Sequence, residues 1–146
     1  MASSAFWAAG SLLQSGDGAG SEVFTSIAEI TKLTPPNLSR DDIDVTHTLS
    51  SNGYREFIGG WRDGGEVSME ANWLPTAATQ SYTSPGLHGL FNAKDVPHNW
   101  KILVGPGPLI TIAFTGFITA FEPDLDIENQ GKLSVTIKIS GKPTVT

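Results

Sequence analysis

The clearest pattern in the chain is the alternation of apolar and polar residues. In residues 66–73 and again in 133–140, apolar side chains occupy every second position. Because successive side chains of a strand point to opposite faces, this period of two predicts strands with one buried and one solvated face. In the first of these strands the polar face carries Glu66, Ser68 and Glu70.

Proline- and glycine-rich turns divide the rest of the chain into further predicted strands and one helix. We expect strands over 23–33, 100–104 and 109–121, bounded by Pro- and Gly-rich turns. Ser84-Pro85 suits the N-cap and first position of a short helix that ends near Ala93. Five or six strands with one helix predict a mainly β fold, a β-sandwich or partial barrel with one flanking α-helix.

Two segments do not show a simple strand pattern. Residues 1–22 are rich in Gly, Ser and Ala, which predicts a flexible N-terminal arm, with 23–146 as a single domain. Residues 37–65 are polar and contain paired glycines, which predicts a long inter-strand loop or hairpin. Both segments also carry large apolar side chains that need a partner surface: Phe6 and Trp7 in the arm, and Tyr54, Phe57, Ile58 and Trp61 in the loop.

Composition and charge narrow the class of protein. The 146 residues include 9 basic and 15 acidic ones, giving a net charge of −6, which disfavours gripping nucleic acid through a basic patch. The absence of cysteine excludes disulfides, thiolate metal sites and thiol nucleophiles. We expect no signal peptide and no membrane span, because the apolar run 108–121 is short and interrupted by threonines.

Catalytic and metal-binding patterns are weak. The acidic segment 122–128 places carboxylates at alternate positions and could hold a cation such as calcium, although a solvated turn is the favoured interpretation. The three histidines lie far apart in sequence and match no catalytic motif. Glu66 and Glu70 would stand about 13 Å apart along one strand, too far for paired glycosidase carboxylates. We therefore expect no enzyme activity, no cofactor and no metal.

The aromatic residues leave one alternative open. Tyr54, Trp61, Trp73 and Trp100 could form a stacking platform of a monomeric carbohydrate-binding β-sandwich. Such residues are more often core or interface anchors. We expect Trp73 and Trp100 in the core, and the aromatics of the long loop in an interface.

Several segments, taken in order, resemble the lambda-like siphophage tail tube (major tail) protein family. They are LSRDDIDVT (38–46), GYREFIGG (53–60), RDGGEVS (62–68), FTGFIT (114–119) and LSVTIKISGKP (133–143). Their order and spacing cover roughly residues 23–143, and the resemblance implies a tail-tube β-sandwich with a flanking helix.

The resemblance also implies a function. Six such subunits close a ring, and rings stack into a hollow tube that conducts DNA, without sequence-specific contact, from a phage or a gene transfer agent. Expected partners are other copies of the chain, a tape measure protein, a tail terminator and a distal tail protein, in a virion made in the bacterial host cytoplasm. In this setting Glu66, Ser68 and Glu70 are candidates to face the lumen. Candidates for contacts between subunits or rings are Phe6, Trp7, Tyr54, Arg55, Phe57, Ile58 and Trp61.

Overall fold

A computed structural model describes residues 3–83, 86–93 and 97–146. The protein is mainly β. The strands are β1 (Leu12–Gly16), β2 (Phe24–Ser26), β3 (Ile30–Thr34), β4 (Ser39–Asp44), β5 (Phe57–Asp63), β6 (Glu66–Asn72), β7 (His98–Val104), β8 (Ile110–Asp124) and β9 (Lys132–Val145). The helix α1 spans Leu87–Asn92, and a one-turn 3-10 helix spans Ser51–Gly53.

Seven of the strands form one antiparallel sheet in the order β2-β1-β7-β8-β9-β6-β3. The two edge strands, β2 and β3, are joined by the short segment 27–29, and β1 lies against β3. The sheet therefore curls toward closure, and α1 packs on β8. This arrangement confirms the expected mainly β fold with one flanking helix.

The core lies on the concave side of this sheet. Trp100 is 1% exposed, and its indole Nε1 donates to the carbonyl oxygen of Gly116 at 3.2 Å. Trp73 is partly buried against the same cluster. The fully or nearly buried apolar residues are Leu13, Ile27, Val67, Met69, Ala71, Leu87, Trp100, Ile102, Ile112, Phe114, Ile118, Leu133, Val135, Ile137 and Ile139.

A buried glutamine joins the connection between β2 and β3 to the end of β6. Gln80, 1% exposed, donates through Nε2 to the carbonyls of Ala28 (2.9 Å) and Asn72 (3.1 Å). Its Oε1 accepts the N–H of Leu74 at 2.8 Å. One side chain thus satisfies three backbone groups that the sheet ladder leaves unpaired.

The N-terminal part of the sheet differs from the sequence-based expectation. Residues 12–16 were predicted to belong to a flexible arm, but they form β1, paired with both β2 and β7. Leu13 is completely buried, so the Leu12-Leu13 pair supplies apolar area that the surrounding Gly and Ser residues lack. The predicted strand 23–33 is also wrong as a single strand, because the chain turns at Glu29, where φ is +51°, between β2 and β3.

Other bounds shift by a few residues. Strand β6 matches its predicted range closely, whereas β8 and β9 extend beyond 121 and 140. Glu122 and Asp124 therefore lie in β8, paired with β9, and the connection spans residues 125–131. Helix α1 lies within the predicted range, with Gly86 at its N-cap; the predicted cap at Ser84-Pro85 lies outside the described residues.

Candidate assembly surfaces

The convex face of the main sheet carries the three residues predicted to line a lumen. In β6, Val67, Met69 and Ala71 are buried, while Glu66, Ser68 and Glu70 are exposed. The alternation predicted from the sequence is therefore present in the fold.

Strand register places a lysine opposite both glutamates, which the sequence pattern alone did not indicate. Glu66 is the cross-strand partner of Lys138 in β9, and Glu70 is the partner of Lys32 in β3. Farther along, Lys132 is the partner of Asp124 in β8. Because directly opposite side chains of a sheet face the same way, this surface is an alternation of charges, not a uniformly acidic one.

The predicted long loop is a two-stranded hairpin, β4–β5, separate from the main sheet. The paired Ile43 and Ile58 lie on one face of the hairpin, and Phe57, paired with Asp44, lies on the other, while Trp61 lies beyond the register shift between the Arg40–Arg62 and Asp42–Gly59 pairs. All four are exposed, Trp61 at 86%. The hairpin thus presents apolar side chains on both faces, whereas a lone two-stranded hairpin is at best marginally stable in water.

The base of the hairpin is fixed to the main sheet. Lys138 Nζ lies 2.9 Å and 3.1 Å from the two carboxylate oxygens of Asp63, and Asp63 also accepts the N–H of Gly65 at 2.8 Å. The Lys138 ammonium, with that N–H, lowers the pKa of Asp63 below its usual value. Gly65 has φ of +75°, and the Asn37 carbonyl against it leaves no room for a Cβ atom.

Side-chain bonds hold the tip of the hairpin. Arg55 Nη1 donates to Asp44 at 2.8 Å, and Asp44 also accepts the N–H of Thr46 at 2.9 Å. The hydrogen bonds from Thr46, and then that from Arg55, lower the pKa of Asp44. Tyr54 is exposed beside this cluster. The tip therefore has a defined shape, while its large side chains remain in solvent.

The N-terminal segment before β1 carries the other predicted contact residues. The ring of Phe6 lies against Gly105, next to Leu109, and is half exposed. Trp7 is 81% exposed. The structure thus separates the two: Phe6 has an intramolecular contact, whereas Trp7 points into solvent.

Sequence analysis missed two further surfaces. A cavity of about 450 Å³ opens at the hairpin base, lined mainly by apolar residues that include Pro36, Trp61, Pro143 and Val145, with Arg62 and Lys142 also on its wall. In the 125–131 connection, Leu125 is largely exposed and Ile127 completely so. The alternation of acidic and apolar residues in Asp124–Glu128 was the available signal, but it was interpreted as a solvated turn, with a cation site as the alternative.

The histidines and aromatic residues considered in the sequence for catalysis or ligand binding lie apart in the fold. The three histidines lie on separate elements: the hairpin tip, α1 and the start of β7. Within residues 3–83, 86–93 and 97–146 there is no cluster of three or more potential metal ligands. Trp100 is buried, so the four aromatics considered for a carbohydrate platform do not share a surface. No helix in the described ranges is both long and apolar enough to cross a membrane.

The fold and its exposed apolar segments define a class of protein: a curled β domain with an unpartnered hairpin, typical of subunits built into larger assemblies. The family model of the lambda phage tail tube protein matches residues 13–146. The chain therefore belongs to the lambda phage tail tube protein family, a family of structural proteins of the virion tail. This confirms the resemblance noted in the sequence.

Solved structures agree on the fold. A chain from the tail of an empty gene transfer agent particle, refined with C6 symmetry, superposes with a TM-score of 0.72 at 18% identity, covering 92% of this chain and 94% of that one. A chain of the sheath-tube complex of an extracellular contractile injection system gives 0.68 at 14% identity, covering 93% and 87%. A chain of the tube-terminating cap of the anti-feeding prophage gives 0.72 at 12% identity, covering 100% and 93%. A search of curated proteins returned no match.

Proposed function

We propose that this chain is the subunit of six-membered rings that stack into the hollow tail tube of a phage or gene transfer agent. The observation that carries the proposal is the β4–β5 hairpin, whose two faces both expose large apolar residues. Because Phe57 is 52% and Trp61 86% exposed in the single chain, burial against other copies is the natural source of the hairpin's stabilisation. We assign the same role to three further residues of the hairpin and its tip, Tyr54, Arg55 and Ile58, and to Trp7 of the N-terminal segment.

We further propose that the convex sheet face carrying Glu66, Ser68 and Glu70 lines the lumen. A lumen that lets DNA slide must not bind phosphates strongly. The lysines of this face could do so, but Lys32 and Lys138 each face a glutamate across the strands. Together with a net charge of −6 per subunit, this pairing favours transit of DNA without retention.

The proposal extends to the partners of the tube and to the localisation of the chain. A tube that ends must be capped and its length measured, so we expect a tape measure protein, a tail terminator and a distal tail protein as partners. We propose that the chain acts by self-association alone, without catalysis or cofactor. We also propose that it is made in the bacterial host cytoplasm before joining the virion. The monomeric carbohydrate-binding module is the alternative, and it predicts a monomer at any concentration.

Electron microscopy of the concentrated protein tests the ring and the hairpin together. We expect rings or tubes of uniform bore. The variant Phe57→Ser/Trp61→Ser should stay folded, because both side chains are exposed, but should lose the assemblies. A matched control is Leu49→Ser in the tip loop, also an exposed apolar residue but outside the strands. Normal tubes from the Phe57/Trp61 variant would contradict the role of the hairpin.

Thiol labelling of assembled tubes tests the lumen assignment. The chain has no cysteine, so a single introduced thiol is the sole reactive site. A thiol at Ser68→Cys should react with a small maleimide but be shielded from a maleimide attached to a large polymer. The control Asn92→Cys, exposed at the end of α1, should react with both reagents. Equal reaction of Ser68→Cys with both reagents would place this face on the outside.

A further inference from the structure

Two complementary surfaces lie at opposite ends of the β8–β9 hairpin. At one end is the acidic turn, residues 125–131, which exposes Leu125 and Ile127. At the other end, where Ile112 pairs with Val145, is the apolar cavity at the hairpin base. Twelve residues of β8 separate Ile112 from Asp124, a distance of about 40 Å at ~3.3 Å per residue. The turn therefore cannot reach the cavity of its own chain.

The acidic turn has a fixed shape. The Asp126 carboxylate accepts the N–H of Glu128 at 3.1 Å and the side-chain amide of Asn129 at 2.8 Å. The carbonyl of Gly131 accepts the N–H of Trp73 at 2.9 Å, which ties the end of the turn to the segment after β6. Leu125 and Ile127 are thus displayed on an ordered turn, which lowers the entropic cost of docking them.

The cavity offers matching chemistry. Pro35, Pro36 and Pro143 give it stiff apolar walls, so the cavity is preformed. Arg62 and Lys142 supply positive charge at its edge, and neither pairs with a carboxylate of the described residues. Asp63, the one acid in the lining, is engaged by Lys138. An apolar cavity with free cations complements an apolar turn flanked by Asp124 and Glu128.

We propose that the acidic turn of one subunit docks into the apolar cavity of a second copy of this chain. Ile127 and Leu125 enter the cavity, and Glu128 faces Lys142, with Arg62 adding positive charge beside it. Joining opposite ends of one molecule makes a heterologous contact, which propagates head to tail and does not close on itself as a two-fold dimer does. The inference rests on the proposed tube function, for which it supplies a contact between successive rings.

Disulfide trapping tests the contact directly. In a cysteine-free chain, Ile127→Cys/Val145→Cys places one thiol on the turn and one in the cavity wall. Under mild oxidation the double variant should give a ladder of covalent dimers, trimers and longer chains. Each single variant carries one thiol and can give at most a dimer. Uniform tubes without a ladder would overturn the docking while leaving the tube function intact; a ladder without rings or tubes would instead overturn the tube function.

Charge reversal supplies an independent measurement. Glu128→Lys or Lys142→Glu alone should raise the critical concentration for tube growth about tenfold, because each creates a like-charge contact. The double variant Glu128→Lys/Lys142→Glu restores opposite charges and should return near the wild-type value. Both side chains are exposed, so folding is not at issue. Equal growth by all three variants, or no rescue in the double variant, would overturn the proposal.

Discussion

The main sheet and the β4–β5 hairpin are both built from strands with large apolar side chains, but only the main sheet buries them. In the main sheet the inner strands bury one face, as in β6, where every second residue is in the core. In the hairpin neither face is buried, although Ile43, Phe57, Ile58 and Trp61 are as apolar as core residues. The main sheet thus buries its apolar side chains within one chain, and the hairpin does not.

This difference separates residues that stabilise the fold from residues that stabilise an assembly. Burial of apolar area contributes about 25 cal/mol per Å² wherever it occurs, within a chain or between chains. Substitutions in the sheet core should therefore lower the stability of the monomer. Substitutions in the hairpin should leave the monomer unchanged and weaken association.

The two tryptophans Trp100 and Trp61 give the largest expected contrast. Trp100→Ala removes a fully buried ring and leaves the Gly116 carbonyl without its donor, so unfolding free energy should fall by about 3–5 kcal/mol. Trp61→Ala should change it by less than about 0.5 kcal/mol. Urea unfolding at a concentration where the protein is monomeric measures both. Similar losses in the two variants would mean that the hairpin is part of the folding unit.

Substitution of Leu13 tests whether β1 is part of the folded domain. Leu13→Ala should cost about 2–4 kcal/mol, because this side chain is completely buried in β1. Deleting residues 1–7, which precede the strand, removes the contact of the half-exposed Phe6 and should lower the urea midpoint much less than Leu13→Ala does, while reducing tube formation through loss of Trp7. Thermal and urea unfolding distinguish the two. A midpoint unaffected by Leu13→Ala would show that β1 is dispensable, as the arm interpretation of 1–22 supposed.

Substitution of Gln80 tests the hydrogen bonds that join the β2–β3 connection to the end of β6. Gln80→Ala leaves the Ala28 and Asn72 carbonyls and the Leu74 N–H unpaired, and should cost about 2–3 kcal/mol. The exposed Gln130 in the acidic turn provides the matched control, Gln130→Ala, with an effect below about 0.5 kcal/mol. Hydrogen exchange should also show faster exchange of the Leu74 amide in the Gln80 variant. Equal unfolding free energies for the two variants would contradict this role of Gln80.

Sequence patterns predicted the parts of the fold that obey a local period. The alternation in β6 and β9 is such a case, because it records which face of a strand is buried. The boundary of β1 was missed because Leu12 and Leu13 are the only large apolar residues between Trp7 and Val23, and their burial depends on pairing with the distant β7. Long-range pairing leaves no local pattern.

The candidate surfaces were predictable to a similar degree. Large apolar residues in polar segments identified the hairpin, since exposure of such residues requires an explanation. The lysines opposite Glu66 and Glu70 were not predictable, because cross-strand register is set by the whole sheet. The cavity was missed for the same reason: it brings together residues 35–36, 61–64 and 141–145.

The smallest expected effect concerns the junction between the two regions, where Asp63 at the hairpin base binds Lys138 of the sheet. The Lys138 ammonium lowers the pKa of Asp63 in the folded state below its unfolded value near 3.8, with a further contribution from the Gly65 N–H. A lowered pKa stabilises the fold fully above the unfolded pKa, and that stabilisation is lost as the pH falls through the folded pKa. Asp63→Asn should therefore reduce stability slightly at neutral pH and flatten its decline below about pH 4, and Lys138→Met should reproduce most of this change. Urea midpoints between pH 2 and 7 measure it, and curves parallel to wild type would show that the junction is held by backbone contacts such as Ile139 N–H to the Gly65 carbonyl.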